Sequence, residues 1–159
     1  MTWGNPPKFK PDPPKKGKKI TPEDLAASGS EDGHQAALFC WAADEVIAGR
    51  YPQLQWMFAI PNGGSRHIAE ATKFVGTGTR SGVPDIFLPC VSGRAIGPKY
   101  YGCFIEMKHE KYRRHHNGGA KLDQIEYMEY LAGAGYYCKV CYSWTEARDT
   151  LITYLEGKL

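Results

Sequence analysis

An α/β sandwich built around a mixed sheet is the fold class this sequence predicts, and three observations carry it. Short runs rich in aromatic and β-branched residues alternate with longer segments whose apolar residues recur at helical spacing. Glycine- and proline-bearing turns separate the two kinds of segment. With 159 residues, 42% hydrophobic and 23% charged, the chain has room for one domain with a real core. Read in order, the elements are helix, strand, turn, strand, strand, helix, strand, helix.

Residues 1–29 read as a disordered Lys/Pro-rich tail. Six lysines and five prolines fall in the first twenty positions with no apolar periodicity, too little to bury. Such a tail aids solubility or attracts phosphate loosely. The folded domain is expected over 30–159. Ser30 is a good N-cap, Glu31 and Asp32 suit the positive end of a helix dipole, and Ala37, Leu38, Trp41, Val46 and Ile47 keep helical spacing to about Arg50.

Residues 55–60 form the first expected strand, stopped by Pro61-Asn62-Gly63-Gly64. A short helix is expected over 68–74 and a glycine loop over 76–82. Strands follow at 85–90 and 100–107 around a hairpin-type connection, then a polar loop over 109–120. A helix over 121–132 is closed by Gly133 and Gly135, a strand covers 136–142, and a last helix covers 144–155, opened by Ser143 or Thr145. Trp41, Trp56 and Trp144 sit in periodic apolar segments and read as core rather than as base-stacking platforms.

Several function classes drop out. No apolar run approaches the roughly 20 residues of a membrane span, and no signal-peptide pattern opens the chain, so a cytoplasmic protein is expected. Five scattered cysteines do not make a disulfide scaffold, and Cys138-Lys139-Val140-Cys141 sits in a strand without a second ligand pair for zinc. Gly76-x-Gly78 lacks the strand-to-helix setting of a nucleotide loop, so no nucleotide cofactor is expected. His115 and His116 likewise lack a partner motif for zinc. Net charge is +3, yet six of the 20 basic residues and one of the 17 acids lie in the first twenty positions, which leaves the rest slightly acidic. Nucleic-acid affinity must then come from local patches and the tail.

Charge inside apolar strands is the strongest signal. Gly82-Val83-Pro84-Asp85-Ile86-Phe87-Leu88 is followed by Cys103-Phe104-Ile105-Glu106-Met107-Lys108. Pro84 cannot donate to a ladder, so it suits a strand start and leaves Asp85 near that strand's end. Glu106 and Lys108 point to one face, while Met107 points away and offers its carbonyl. On adjacent strands, Asp85 and Glu106 can hold a hard cation such as Mg²⁺ or Mn²⁺, with Lys108 beside the water or the scissile phosphate. A Glu-x-Lys triplet alone is common, and an ion pair along a strand is the alternative reading.

The chain resembles a stand-alone virus-type replication-repair nuclease domain (VRR-NUC) of the PD-(D/E)XK nuclease superfamily. The resemblance rests on Ser30-Glu31 with Gln35, Pro61-Asn62-Gly63-Gly64-Ser65-Arg66, Gly82-Val83-Pro84-Asp85, Phe104-Ile105-Glu106-Met107-Lys108, Leu122-Asp123-Gln124 and Gly135-Tyr136-Tyr137-Cys138-Lys139-Val140, in order over about 30–155. It implies a restriction-endonuclease-like α-β-β-β-α-β core. It makes Asp85, Glu106 and the Met107 carbonyl metal ligands, with Glu31 reaching the metal directly or through water, and places Lys108 and Gln124 in the catalytic group. A helix-start acid favoured by the dipole is the other reading of Glu31, and an ordinary solvated residue the other reading of Gln124.

The activity implied is a Mg²⁺-dependent endonuclease acting on branched DNA, resembling Holliday-junction resolvases, homodimeric, and leaving a 5′-phosphate and a 3′-hydroxyl. A sequence-specific restriction-like enzyme and a non-catalytic nucleic-acid-binding module are the alternatives. DNA contacts are expected at Asn62, Arg66, Lys73, Arg80, Lys111, Arg113 and Arg114.

Overall fold

The structure, a computed structural model, describes residues 19–61, 76, 78–93, 97 and 99–159. The elements are α1 (Pro22–Ala26), α2 (Glu31–Ile47), β1 (Phe58–Ala59), β2 (Ile86–Leu88), β3 (Cys103–Met107), α3 (Leu122–Gly133), β4 (Tyr137–Cys141) and α4 (Trp144–Leu155). Order in the sheet follows order in the chain. β1, β2 and β3 pair antiparallel and β4 joins β3 in parallel, giving the expected mixed sheet flanked by helices.

Strand alternation divides the sheet into two faces. Ile86, Leu88, Cys103, Ile105 and Met107 face a core completed by Ala37, Leu38, Trp41 and Ala42 of α2 and by Trp144, Ala147, Leu151 and Tyr154 of α4. Phe104, Glu106 and Lys108 occupy the opposite face and are buried as well. β3 is therefore covered on both sides, which is why its sequence reads as an unbroken apolar run around one acid. Tyr154, fully buried, donates its hydroxyl to the carbonyls of Cys90 (2.6 Å) and Tyr100 (3.2 Å), fastening both arms of the β2–β3 connection to α4.

Four expectations shift. Order begins before residue 30, because Thr21 and Asp24 form a reciprocal capping box that starts α1, and Leu25 and Ala26 pack against the core. The strand expected from Gln55 is instead a 3₁₀ turn over Pro52–Trp56, with Pro52 in the first turn and Leu54 turned into the core. That leaves Trp56 44% exposed rather than in the core, unlike Trp41 and Trp144. The strand expected from Tyr100 starts at Cys103, since the Tyr100 and Tyr101 amides bond to Ser92 Oγ and the Gly135 carbonyl. The tail over 1–18, the helix over 68–74, and Asn62, Arg66 and Lys73 lie outside the described residues.

Candidate active site

Three backbone devices bring the site together. The Ile60 amide donates to the Asp85 carbonyl at 2.7 Å, which extends the β1–β2 ladder by one step and fixes the start of β2. Continuing the β2–β3 register by that step sets Asp85 opposite Glu106, so both carboxylates share the face away from the core. The Met107 amide then donates to Asp85 Oδ2 at 2.9 Å. In a strand, a residue's N–H and C=O lie toward the same neighbour, so the Met107 carbonyl also faces the Asp85 side.

Glu106 is the most enclosed of these groups, with 1% of its surface exposed. Its Oε1 accepts from Lys108 Nζ at 2.5 Å and from the Gln124 side-chain amide. Its Oε2 is buried and meets no donor among the described residues. Burial is the main force on this carboxyl, joined by the charge of Asp85. Together they push its pKa up to about 7 against the opposing pull of Lys108. For Lys108, burial works against the charged form, but the hydrogen bond and charge of Glu106, with Glu31 and Asp85 beyond, outweigh it and raise the ammonium above its usual range. Lys108 is thus a fixed cation, suited to stabilising negative charge and unsuited to acting as a base.

Gln124 is held from both ends. Its Oε1 accepts from the Lys121 amide at 2.9 Å, which leaves the NH₂ end for Glu106. α3 in turn is fastened to the segment leading into β2. Ser81 Oγ donates to Asp123, and Gly82 adopts φ +85° with its α-carbon so close to α3 that a Cβ would lie 2.5 Å from the Asp123 carbonyl oxygen. This clamp was not among the expected site features, although a glycine just before Pro84-Asp85 was the visible sign of it.

Glu31, at the start of α2, accepts from the His109 amide at 2.9 Å and lies near enough to act electrostatically on both Glu106 and Lys108. Asp85, Glu106, Lys108, Gln124 and Glu31 therefore converge. Among the described residues no three His, Cys, Asp or Glu side chains form a ready-made metal cluster. What fits a cation is narrower: two carboxylates on adjacent strands, one with an unpartnered buried oxygen, and a main-chain carbonyl on the same side, all hard oxygen donors.

The basic residues divide. Arg80 and Arg114 are exposed, and Lys111, also exposed, lies over the Tyr112 ring at 4.9 Å. The Arg113 guanidinium is bound by Glu110 (2.7 Å) and Glu146 (2.9 Å) and covers the Tyr142 ring at 4.3 Å. That arrangement ties the 109–120 loop to α4.

The mixed four-stranded sheet with its flanking helices is an α/β fold consistent with a restriction-endonuclease-like core. Within that class, structural likeness to a solved protein supports a VRR-NUC domain. A solved structure described as a VRR_NUC domain protein is similar to it at 26% identity, covering 80% of this chain and 89% of that one with a TM-score of 0.58. No protein-family model and no curated protein matches the chain.

Proposed function

We propose that this protein is a divalent-metal-dependent endonuclease that hydrolyses phosphodiesters in branched or structured DNA and leaves a 5′-phosphate and a 3′-hydroxyl. The observation that carries the reading is Glu106 Oε2, buried beside Asp85 and without a donor among the described residues. A buried carboxylate oxygen in that condition is costly unless a cation completes it. Asp85, Glu106 and the Met107 carbonyl would hold Mg²⁺ or Mn²⁺, with Glu31 as an outer partner. When bound, the ion acidifies water and neutralises phosphate charge.

The chain's own residues supply the rest. Lys108 presents a permanent cation next to Glu106, placed to stabilise the charge that grows on the phosphate oxygens. Gln124 fixes the Glu106 carboxylate so that one oxygen stays with Lys108 and the other stays open. Exposed Arg80, Lys111 and Arg114, with Asn62, Arg66 and Lys73, contact the DNA backbone on this reading, whereas Arg113 acts by holding its loop. Similarity to the VRR_NUC domain protein supports a DNA substrate, and branched DNA cut by a homodimer is the form proposed.

All five cysteines are free, in keeping with the cytoplasmic residence that forms part of the proposal. No helix among the described residues is long and apolar enough to cross a membrane.

The test is a panel of four-way junctions, flaps, linear duplex and single strands incubated with Mg²⁺ or Mn²⁺, with product ends typed by ligation. Cleavage favouring branched forms, lost in EDTA and in Asp85→Ala, Glu106→Ala and Lys108→Ala, is expected. Cleavage that persists in all three variants overturns the site, and DNA binding without any cleavage makes the protein a binding module.

A further inference from the structure

A pocket of about 330 Å³ opens beside the carboxylates, between the 78–83 segment and α3, lined chiefly by Ile60, Pro61, Thr79, Arg80, Val83 and Tyr127. Its place follows from the strand register. Ile60, Asp85, Glu106 and Val140 form one row across the sheet on the face away from the core, so the Ile60 wall starts one strand away from Asp85, about 5 Å. Tyr127 follows Gln124 by one turn of α3 and shares its face. One helix face therefore carries both the amide that holds Glu106 and the ring that walls the pocket.

The pocket's two sides cannot drift apart freely. Ser81 bonded to Asp123, and Gly82 pressed on the Asp123 carbonyl, clamp the loop to the helix just behind Tyr127. The lining is mixed: Ile60, Val83 and the partly buried Tyr127 ring supply its apolar part, polar surface makes up nearly as much, and Arg80 is exposed, with no ion pair among the described residues. One aromatic ring and two aliphatic side chains for a base to rest on, polar groups for its edge, an exposed cation and a volume at the small end of ligand pockets suit one aromatic heterocycle attached to a phosphate.

We propose that this pocket receives a nucleobase splayed out next to the scissile phosphate, stacked on Tyr127 with Arg80 on the flanking phosphate. This rests on the nuclease reading and narrows its substrate class. A base within a continuous stack cannot enter a lateral pocket, and extraction is easiest where a nucleotide is already unpaired. The enzyme then selects DNA with an unpaired or weakly paired nucleotide at the cut, whatever its sequence, because stacking accepts every base.

The test places 2-aminopurine, one position at a time, around the branch point of a cleaved substrate and compares native protein with Tyr127→Ala and Tyr127→Phe. In EDTA, one position is quenched by the native protein and by Tyr127→Phe, and stays bright when bound to Tyr127→Ala. In Mg²⁺, kcat/KM on the branched substrate falls about 5- to 150-fold in Tyr127→Ala, the loss of one base–aromatic stack, while Tyr127→Phe stays near native. An abasic nucleotide at the quenched position slows the native protein and leaves Tyr127→Ala unaffected.

Equal fluorescence from native protein and Tyr127→Ala at every position, or an equal abasic penalty in both, overturns the proposal. Should Tyr127→Ala fail to fold, native protein and Tyr127→Phe decide: an abasic substrate cut as fast as its parent by both overturns it. Absence of cleavage by the native protein with any metal overturns the nuclease reading instead, and the EDTA fluorescence still reads the pocket.

Discussion

Glu106 makes a quantitative prediction about stability. Its carboxyl is raised to about 7 in the folded protein, against about 4.3 in an unfolded chain. A raised acid means that between those values the native state holds more protons than the unfolded one, so stability falls as pH rises through the window. At 1.36 kcal/mol per pH unit, the whole interval is worth about 4 kcal/mol, of which about 3 falls between pH 5 and pH 8. Other groups titrate too, so the clean quantity is a difference. In metal-free buffer, the unfolding free energy of Glu106→Gln minus that of the native protein should climb by about 3 kcal/mol between pH 5 and pH 8. In the native protein Glu106 raises the Lys108 ammonium above its usual range, so it does not titrate in this window.

Urea titrations at half-unit pH steps read this difference directly. The offset at pH 5, set by how well glutamine replaces the acid, is immaterial. Mg²⁺ at about 100 times its Kd should then restore about 2.7 kcal/mol to the native protein above pH 7 and nothing to Glu106→Gln. A difference that stays flat from pH 5 to pH 8 would refute both the raised carboxyl and the argument that a cation completes it.

Three further outcomes are expected. Gln124→Ala removes the donor that orients Glu106 and should lower metal affinity about 10- to 100-fold, seen as a shifted Mg²⁺ midpoint for cleavage with thermal stability little changed. Gly82→Ala places a methyl group at φ +85° against the Asp123 carbonyl. Backbone strain of this kind costs about 1–3 kcal/mol, and differential scanning calorimetry should show it together with loss of activity as α3 is pushed from the loop. Tyr154→Phe strips the donor from two buried carbonyls at a cost of about 1–3 kcal/mol, with hydrogen exchange quickening first around 90–92 and 100–101.

The strand pair at the centre of the site was legible in the sequence because two acids and a lysine within apolar runs demand a reason, and register then does the rest. Helix starts were equally legible: Ser30 and Ser143 both cap through their hydroxyls as side-chain chemistry requires. What escaped was set by tertiary contacts. Residues 19–29 lack periodicity, yet Leu25 and Ala26 find apolar surface on the core. Gln55 and Trp56 look like strand, but Pro52 and the inward pull of Leu54 wind them into a 3₁₀ turn. Arg113 matches any other basic residue in a polar loop until the fold brings Glu146 beside it. The pocket walled by Tyr127 was invisible for the same reason, since its sides come from Ile60 and Pro61 just after β1, the 78–83 loop and α3.

The hydrogen bond from the His109 amide to Glu31 joins positions 78 residues apart. α2 emerges early in synthesis, β3 much later, and β3 cannot be enclosed until β4 pairs along its far edge. The proposed catalytic group thus draws on segments that meet only at high contact order, late in folding. A nascent chain, or a proteolytic fragment ending before α3, has acids but no assembled centre. On the nuclease reading proposed above, competence that arrives only with the finished fold keeps incomplete copies from cutting DNA.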